Sequence, residues 1–219
     1  MRTRPVGFFV LALTLAAELA VSADADRLKN AEEVLTAMAA VSDKGVPPDL
    51  FKKARCIAIV PSVREAALGI GGKYGKGYLS CRHGRGWSAP GAIGITGGSV
   101  GLQIGGSATD LLMLVMNDQG MDHLLSSKFT VGAEAKVAAG PVGRDASAQT
   151  DITLTAEILA WSRSRGAFAG IALEGATLSE DRTENKALYG KDISNTDIVR
   201  GNIAPPAIAA SFMAALSKY

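Results

Sequence analysis

Between Ala66 and Gly106 glycine recurs in a pattern that few folds accommodate. Gly69, Gly71, Gly75 and Gly77 fall on one side of a period-two alternation, with Ile70, Tyr74 and Tyr78 on the other. Such alternation marks a strand. A glycine face weakens a strand unless the sheet must bend strongly or another backbone must lie directly on it. Gly94, Gly97, Gly98, Gly101, Gly105 and Gly106 extend the theme. The whole chain holds 25 glycines in 219 residues, about 11% against a usual level of about 7%. The expectation is a single α+β domain. Its core is a strongly curved, glycine-rich antiparallel sheet or barrel-like body, with helices at the N- and C-terminal ends.

The rest of the chain supplies those helices. Leu28, Ala31, Val34, Leu35, Met38 and Val41 recur at helical spacing over 26–42, and this helix is expected to dock on the domain. Pro47-Pro48-Asp49 opens a short helix to Arg55. Cys56 to Val60 reads as a short strand stopped by Pro61, and Leu111 to Met116 as a strand buried on both faces. A helix over 118–127 takes Asp118 as its cap. Strands are expected over 129–139, 150–162 and 167–176, with 152–161 also compatible with helix. Gly140-Pro141-Val142-Gly143 is a turn. Helices follow over 180–189 and 193–200. Pro205-Pro206 opens a last helix whose apolar face is Ile208, Phe212 and Leu216.

The first 23 residues read as an export signal. Arg2 and Arg4 precede an apolar run from Val6 to Ala17, and Val21-Ser22-Ala23 fits a cleavage site. The run is short for a membrane-spanning helix, which needs about 20 residues, and an uncleaved anchor is the alternative to a cleaved signal. The chain is therefore divided into a signal peptide (1–23) and one domain (24–219), exported to a periplasm or secreted, and peripheral to a membrane where it works. In that setting the only two cysteines, Cys56 and Cys81, permit a disulfide, while two small buried hydrophobes are the alternative.

Charge carries the functional signal. From Leu50 to Arg85 stand Lys52, Lys53, Arg55, Arg64, Lys73, Lys76, Arg82 and Arg85 against one acid, Glu65, in a chain whose net charge is only +2. Charge so concentrated faces an anionic partner or tolerates its own repulsion. Tyr74, Tyr78 and Trp87 are suited to a half-wet interface. Aromatics make up only 5% of the chain, which disfavours single-stranded nucleic acid as partner because the stacking platforms are missing. GIGGKYGKG lacks both the Walker A pattern and the third glycine of a dinucleotide fingerprint. His83 and His123 have no partner at metal-ligand spacing, and no GxSxG elbow exists. Asp110, Asp145, Asp151, Glu157 and Glu174 are scattered, and Arg144 or Arg163 are the expected partners of such acids. Neither catalysis, a cofactor nor a metal is expected.

In order along the chain, KARCIAIVPSV, GGKYGKGYLSCR, GWSAP, GGSVGLQIGGSATDLLMLVMN, KFTVGAEAKVAAGPVGR and SRSRGAFAGIALEGA stand between Leu28 and Tyr189. Together they resemble the SYLF domain, also called the Ysc84 actin-binding or lipid-binding domain. The export signal would make this chain an exported, bacterial-type member. The resemblance implies a compact non-enzymatic module binding phosphoinositides and other anionic lipids, with actin bundling in eukaryotic members. It places the lipid contact at the N-terminal helix and nearby cations, here Lys29, Lys44, Lys52, Lys53 and Arg55. An exported protein would meet anionic phospholipid before phosphoinositide. The expected lipid-binding residues are these five with Arg64, Lys73, Lys76, Arg82 and Arg85. A cell-envelope protein-interaction module is the alternative.

Overall fold

The computed structural model describes residues 26–40, 45–142, 155–164, 167–170, 173 and 175–219. The expected signal segment, Lys44 and Val41 lie outside these, as does the start of the strand expected over 150–162.

A helix over 26–40 (α1) is followed by α2 (Pro48–Lys53) and by two very long strands, β1 (Cys56–His83) and β3 (Gly91–Val115). The two pair antiparallel from Cys56↔Val115 to Leu79↔Gly91, and the small β2 (Gly86–Trp87) closes a hairpin on the end of β1. After α3 (Asp118–Leu125) come β4 (Lys128–Thr130), β5 (Val137–Ala139), β6 (Ile158–Ser164), β7 (Ala167–Gly170) and β8 (Thr177–Glu180). Helices α4 (Arg182–Tyr189) and α5 (Asn195–Arg200), a 3-10 turn (Ala207–Ala209) and α6 (Ala210–Leu216) complete the chain. The sheet order is β2-β1-β3-β6-β5, with β8 on the opposite end of β3 and β4 beyond it.

The sheet curls into a half-barrel because β1 returns to its own beginning. Cys56 and Cys81, 25 residues apart, form a disulfide with their Cα atoms 3.9 Å apart. The Arg82 amide donates to the Arg55 carbonyl at 2.7 Å. Gly77 lies against the backbone of Ile59 and Val60 so closely that a Cβ there would sit 1.9 Å from the Ile59 oxygen. At Gly77 the glycine face thus meets another backbone, and that backbone is the start of the same strand, while Gly75 makes room for the side chains of Val60, Val63 and Ile95.

Alternation along the strands then builds two apolar layers. Ile57, Ile59, Tyr78, Leu112, Leu114, Leu159 and Trp161 face out under the helices, where Leu28, Ala31, Val34, Leu35 and Met38 of α1 join Phe51, Phe212 and Leu216. Cys56, Ala58, Val60, Leu79, Cys81, Ile93, Ile95, Leu111 and Met113 face the concave side with Phe129, Leu173 and Leu178. At about 25 cal/mol per Å² of apolar surface, these layers are the main favourable contribution to folding.

Several local expectations are corrected. Pro61 does not stop the strand. The register shifts between Val60 and Val63, Ser62 takes a positive φ of 49°, and its amide donates to Asp110 Oδ1 at 3.0 Å, so the chain bulges at the proline and pairs onward. Asp110 is held in turn by Arg163, whose Nε and Nη2 donate to Oδ2 at 2.9 and 2.6 Å, the ordinary pairing expected of that arginine. The sheet is mixed, because β5 and β6 pair in parallel, and the connection over 140–157 is long enough for that crossover. The strand expected over 129–139 divides at a turn with Gly132 at φ 84°. Asn117, not Asp118, caps α3 by accepting from the Gly120 amide, and Glu180 ends a strand while Asp181 caps α4. Phe212 and Leu216 are buried, but Ile208 lies in the 3-10 turn and is exposed, since the tighter turn rotates it off the helical stripe.

Among the described residues no helix is long and apolar enough to cross a membrane. Replacing Gly77 with alanine is expected to lower stability to urea by about 3 kcal/mol or more, since backbone cannot move aside. Gly98→Ala, where a Cβ meets nothing within 4 Å, should stay within about 0.5 kcal/mol. Removing the disulfide with Cys56→Ser and Cys81→Ser is expected to lower stability by about 3 kcal/mol in the same measurement.

Candidate functional site

Arg82 organises one end of the molecule. The last carbonyls of a short helix have no partner of their own, and here an arginine fork supplies one. Arg82 Nη2 donates to the carbonyl oxygens of Phe51 at 3.2 Å and Tyr219 at 2.7 Å, and Nε donates to that of Ala54 at 3.4 Å. The guanidinium lies 4.0 Å from the centre of the Trp87 ring, and Tyr219 stacks on Phe51 at 4.6 Å. Burial pulls the Arg82 pKa down. This residue is therefore a fastener: it ties the end of α2 to the β1–β2 hairpin and to the C-terminal segment.

The fastening gathers charge. Lys52 and Lys53 on α2, Arg55 at the entry to β1, and His83 and Arg85 at the hairpin turn are all exposed and share this end. Lys52 pairs with Asp49 at 3.5 Å and Arg55 with Asp118 at 3.2 Å. Lys53 and Arg85 have no carboxylate partner among the described residues.

The other expected cations among the described residues lie elsewhere, so these do not form one surface. A cleft of about 430 Å³ opens between α1 and β1, lined by Asp26, Arg27, Asn30, Ser62, Arg64, Tyr74 and Lys76 among others. Arg64 is exposed at its edge, and Tyr74 is 53% exposed. Lys76 is engaged by Asp181 at 2.6 Å. Beneath it, Arg27 pairs with buried Glu184, which also accepts from the Tyr78 hydroxyl at 2.5 Å. Lys73 turns toward the concave side of the sheet, and Lys29 pairs with Glu33 at 4.0 Å on the outer face of α1. The reason for this dispersal is the curl of β1, which carries positions 64 to 76 away from the disulfide and brings only position 82 back to position 55. The apolar face of α1 lies inside the core, so it is not a surface able to enter a headgroup layer. Of the three aromatics expected at an interface, Tyr78 is fully buried and Trp87 half-buried; only Tyr74 is exposed.

The ion-pair network under the cleft was not legible in the sequence. Asp181 accepts from the Glu184 amide as a helix cap while also holding Lys76. Only the capping role leaves a local signal; the partners lie a hundred positions away. Burial pushes the Asp181 carboxyl up, but Lys76, the Glu184 amide and Arg27 outweigh it and hold the carboxyl below its ordinary range. Burial likewise pulls Lys76 down, and Asp181 more than offsets this. Among the described residues no group of three or more His, Cys, Asp or Glu converges to hold a metal.

The family described as Ysc84, Las17-binding protein actin regulator, matches residues 96–219. The SH3 domain-containing YSC84-like protein 1 of Bos taurus is 34% identical over 179 residues, covering 81% of this chain and 52% of the relative. The Homo sapiens protein of the same name is 35% identical over 169 residues, 76% of this chain and 49% of the relative. LAS seventeen-binding protein 3 of Saccharomyces cerevisiae is 34% identical over 170 residues, 75% of this chain and 37% of the relative. The chain spans about half or less of the length of these relatives.

A carboxylate with a depressed folded pKa stabilises fully above its unfolded value, near 4, and loses that contribution as pH falls through the folded value. Thermal melts should therefore show Asp181→Asn, which keeps the cap, less stable than the parent at neutral pH. The gap should close under acid conditions below the usual carboxylate range. A gap that stays constant with pH would mean that the Lys76–Asp181 pair is not what Asp181 contributes.

Proposed function

The chain belongs to the Ysc84 family, and from that premise we propose that it is a non-enzymatic binding module that docks on anionic phospholipid surfaces through its α2–hairpin end. The observation that carries this reading is the Arg82 fastening, which sets Lys52, Lys53, Arg55, His83 and Arg85 side by side in solvent. Each Lys or Arg near an anionic surface contributes about 1 kcal/mol. The carboxylates present do not cancel this. The Lys52–Asp49 and Arg55–Asp118 pairs are exposed on both sides, and exposed pairs are worth about 0–1 kcal/mol, so a phosphate can displace them. The reading places the working protein, exported as residues 1–23 imply, on the surface of an envelope membrane. It uses the basic end and not insertion of α1.

A protein partner is the second reading, favoured by the name of the yeast relative, LAS seventeen-binding protein 3. Salt separates the two, because lipid docking by charge is screened while an apolar contact is not.

The test is co-sedimentation with phosphatidylcholine vesicles with and without phosphatidylglycerol, at low and high salt. Binding should require phosphatidylglycerol and fall with salt. The triple variant Lys52→Glu, Lys53→Glu, Arg85→Glu should bind at least about tenfold more weakly with its melting temperature unchanged. Equal sedimentation of the triple variant and the parent would overturn the reading.

A further inference from the structure

The concave side of the half-barrel does not close at the end where β1 and β3 run on as a ribbon beyond β6 and β8. The ribbon spans roughly Val63↔Thr109 to Lys73↔Gly97, and β6 and β8 pair with β3 only over 110–115 and 93–96. A cavity of about 290 Å³ opens there. Val63, Ile95, Leu111 and Leu173 form an apolar wall, Thr109 and Ser162 add hydroxyls, and Glu65 and Lys73 are its charged members among the described residues. The mouths of barrels are recurrent small-molecule sites, and such sites begin at about 300 Å³.

Lys73 is directed into this space by the strand beside it. Its cross-strand partner is Gly97, where a Cβ would sit 3.2 Å from Lys73 Cγ, 3.4 Å from Cδ and 3.3 Å from Ala176 Cα. The lysine stem therefore lies flat across the bare glycine, beside Ala176. No carboxylate among the described residues pairs with its ammonium, Glu65 included, although the residue is half-buried. A half-buried cation that no described carboxylate pairs, set over an apolar cavity, suits a ligand with one anionic head and a short apolar tail. The volume excludes a long chain, and Glu65 in the same lining disfavours a polyanion.

We propose that the mouth of the half-barrel is a binding site for a small amphiphilic monoanion of the medium-chain carboxylate class. Its carboxylate lies on Lys73 and its tail against Val63, Ile95, Leu111 and Leu173. This site is separate from the α2–hairpin end and does not depend on that end meeting a membrane.

Isothermal titration calorimetry with octanoate, and with octanol as the uncharged counterpart, tests it. The parent protein should bind octanoate more tightly than octanol. Lys73→Met should weaken octanoate by at least about tenfold, the order expected when a hydrogen bond to a charged partner is lost, and leave octanol unchanged. Gly97→Val, which pushes the lysine stem aside, should do the same. Val63→Phe, which fills the cavity, should abolish both, with folding of each variant confirmed by its melting temperature. Absence of octanoate binding by the parent protein would overturn the proposal. So would octanoate affinity that survives Lys73→Met unchanged.

Discussion

One contact governs this molecule: the backbone of β1 lying on itself. Gly77 sits against Ile59 and Val60 with no room for a methyl group, and the Cys56–Cys81 disulfide fixes the crossing nearby. A strand this long would otherwise form an open, twisted ribbon with one face exposed. Returning to its start turns the ribbon into a half-barrel with a concave side closed at one end, and β3 follows because it is paired to β1 along nearly its whole length. The helices then cover the convex side. The two apolar layers are separated by nothing more than the alternation of side chains about one sheet.

The same crossing decides what the surface can do. It brings Arg82 to the carbonyls that end α2, and the hairpin turn arrives with it. Cations that are thirty positions apart become neighbours, while Arg64, Lys73 and Lys76, closer in sequence to one another, are spread over a cleft and a cavity mouth. Arg82 itself is half-buried and spends its guanidinium on backbone carbonyls as the fastener, so the most connected cation of the set is not the one most available to a partner. The network of Arg27, Tyr78, Glu184, Lys76 and Asp181 similarly uses charge to hold α1 and α4 onto the strand.

The polar interior is small and specific. Asn185 and Asn195 clamp the start of β3: the Ala92 amide donates to Asn185 Oδ1 at 2.8 Å, and Asn195 Nδ2 donates to the Ala92 carbonyl at 2.9 Å. Buried amides of this kind are satisfied only in one arrangement, so they select the register of β3 against the C-terminal helices as well as stabilising it.

Period and composition by themselves determined much of the architecture. The helical stripe of α1 is buried residue for residue from Leu28 to Met38, the run Leu111–Val115 is buried on both faces, and the glycine alternation announced a close backbone approach. These are local properties, written in spacing. The sequence also announced a dense run of positive charge, but not its layout. That layout depends on which face of a curling strand each residue occupies and on acids brought from far along the chain, such as Asp181 to Lys76 and Asp118 to Arg55. Pro61 shows the same limit. Its missing donor reads locally as a stop, yet the bulge and Asp110 carry the strand past it. Local pattern sets what each segment can form. Only the closure of β1 on itself, a contact between residues 25 apart, sets which segments meet.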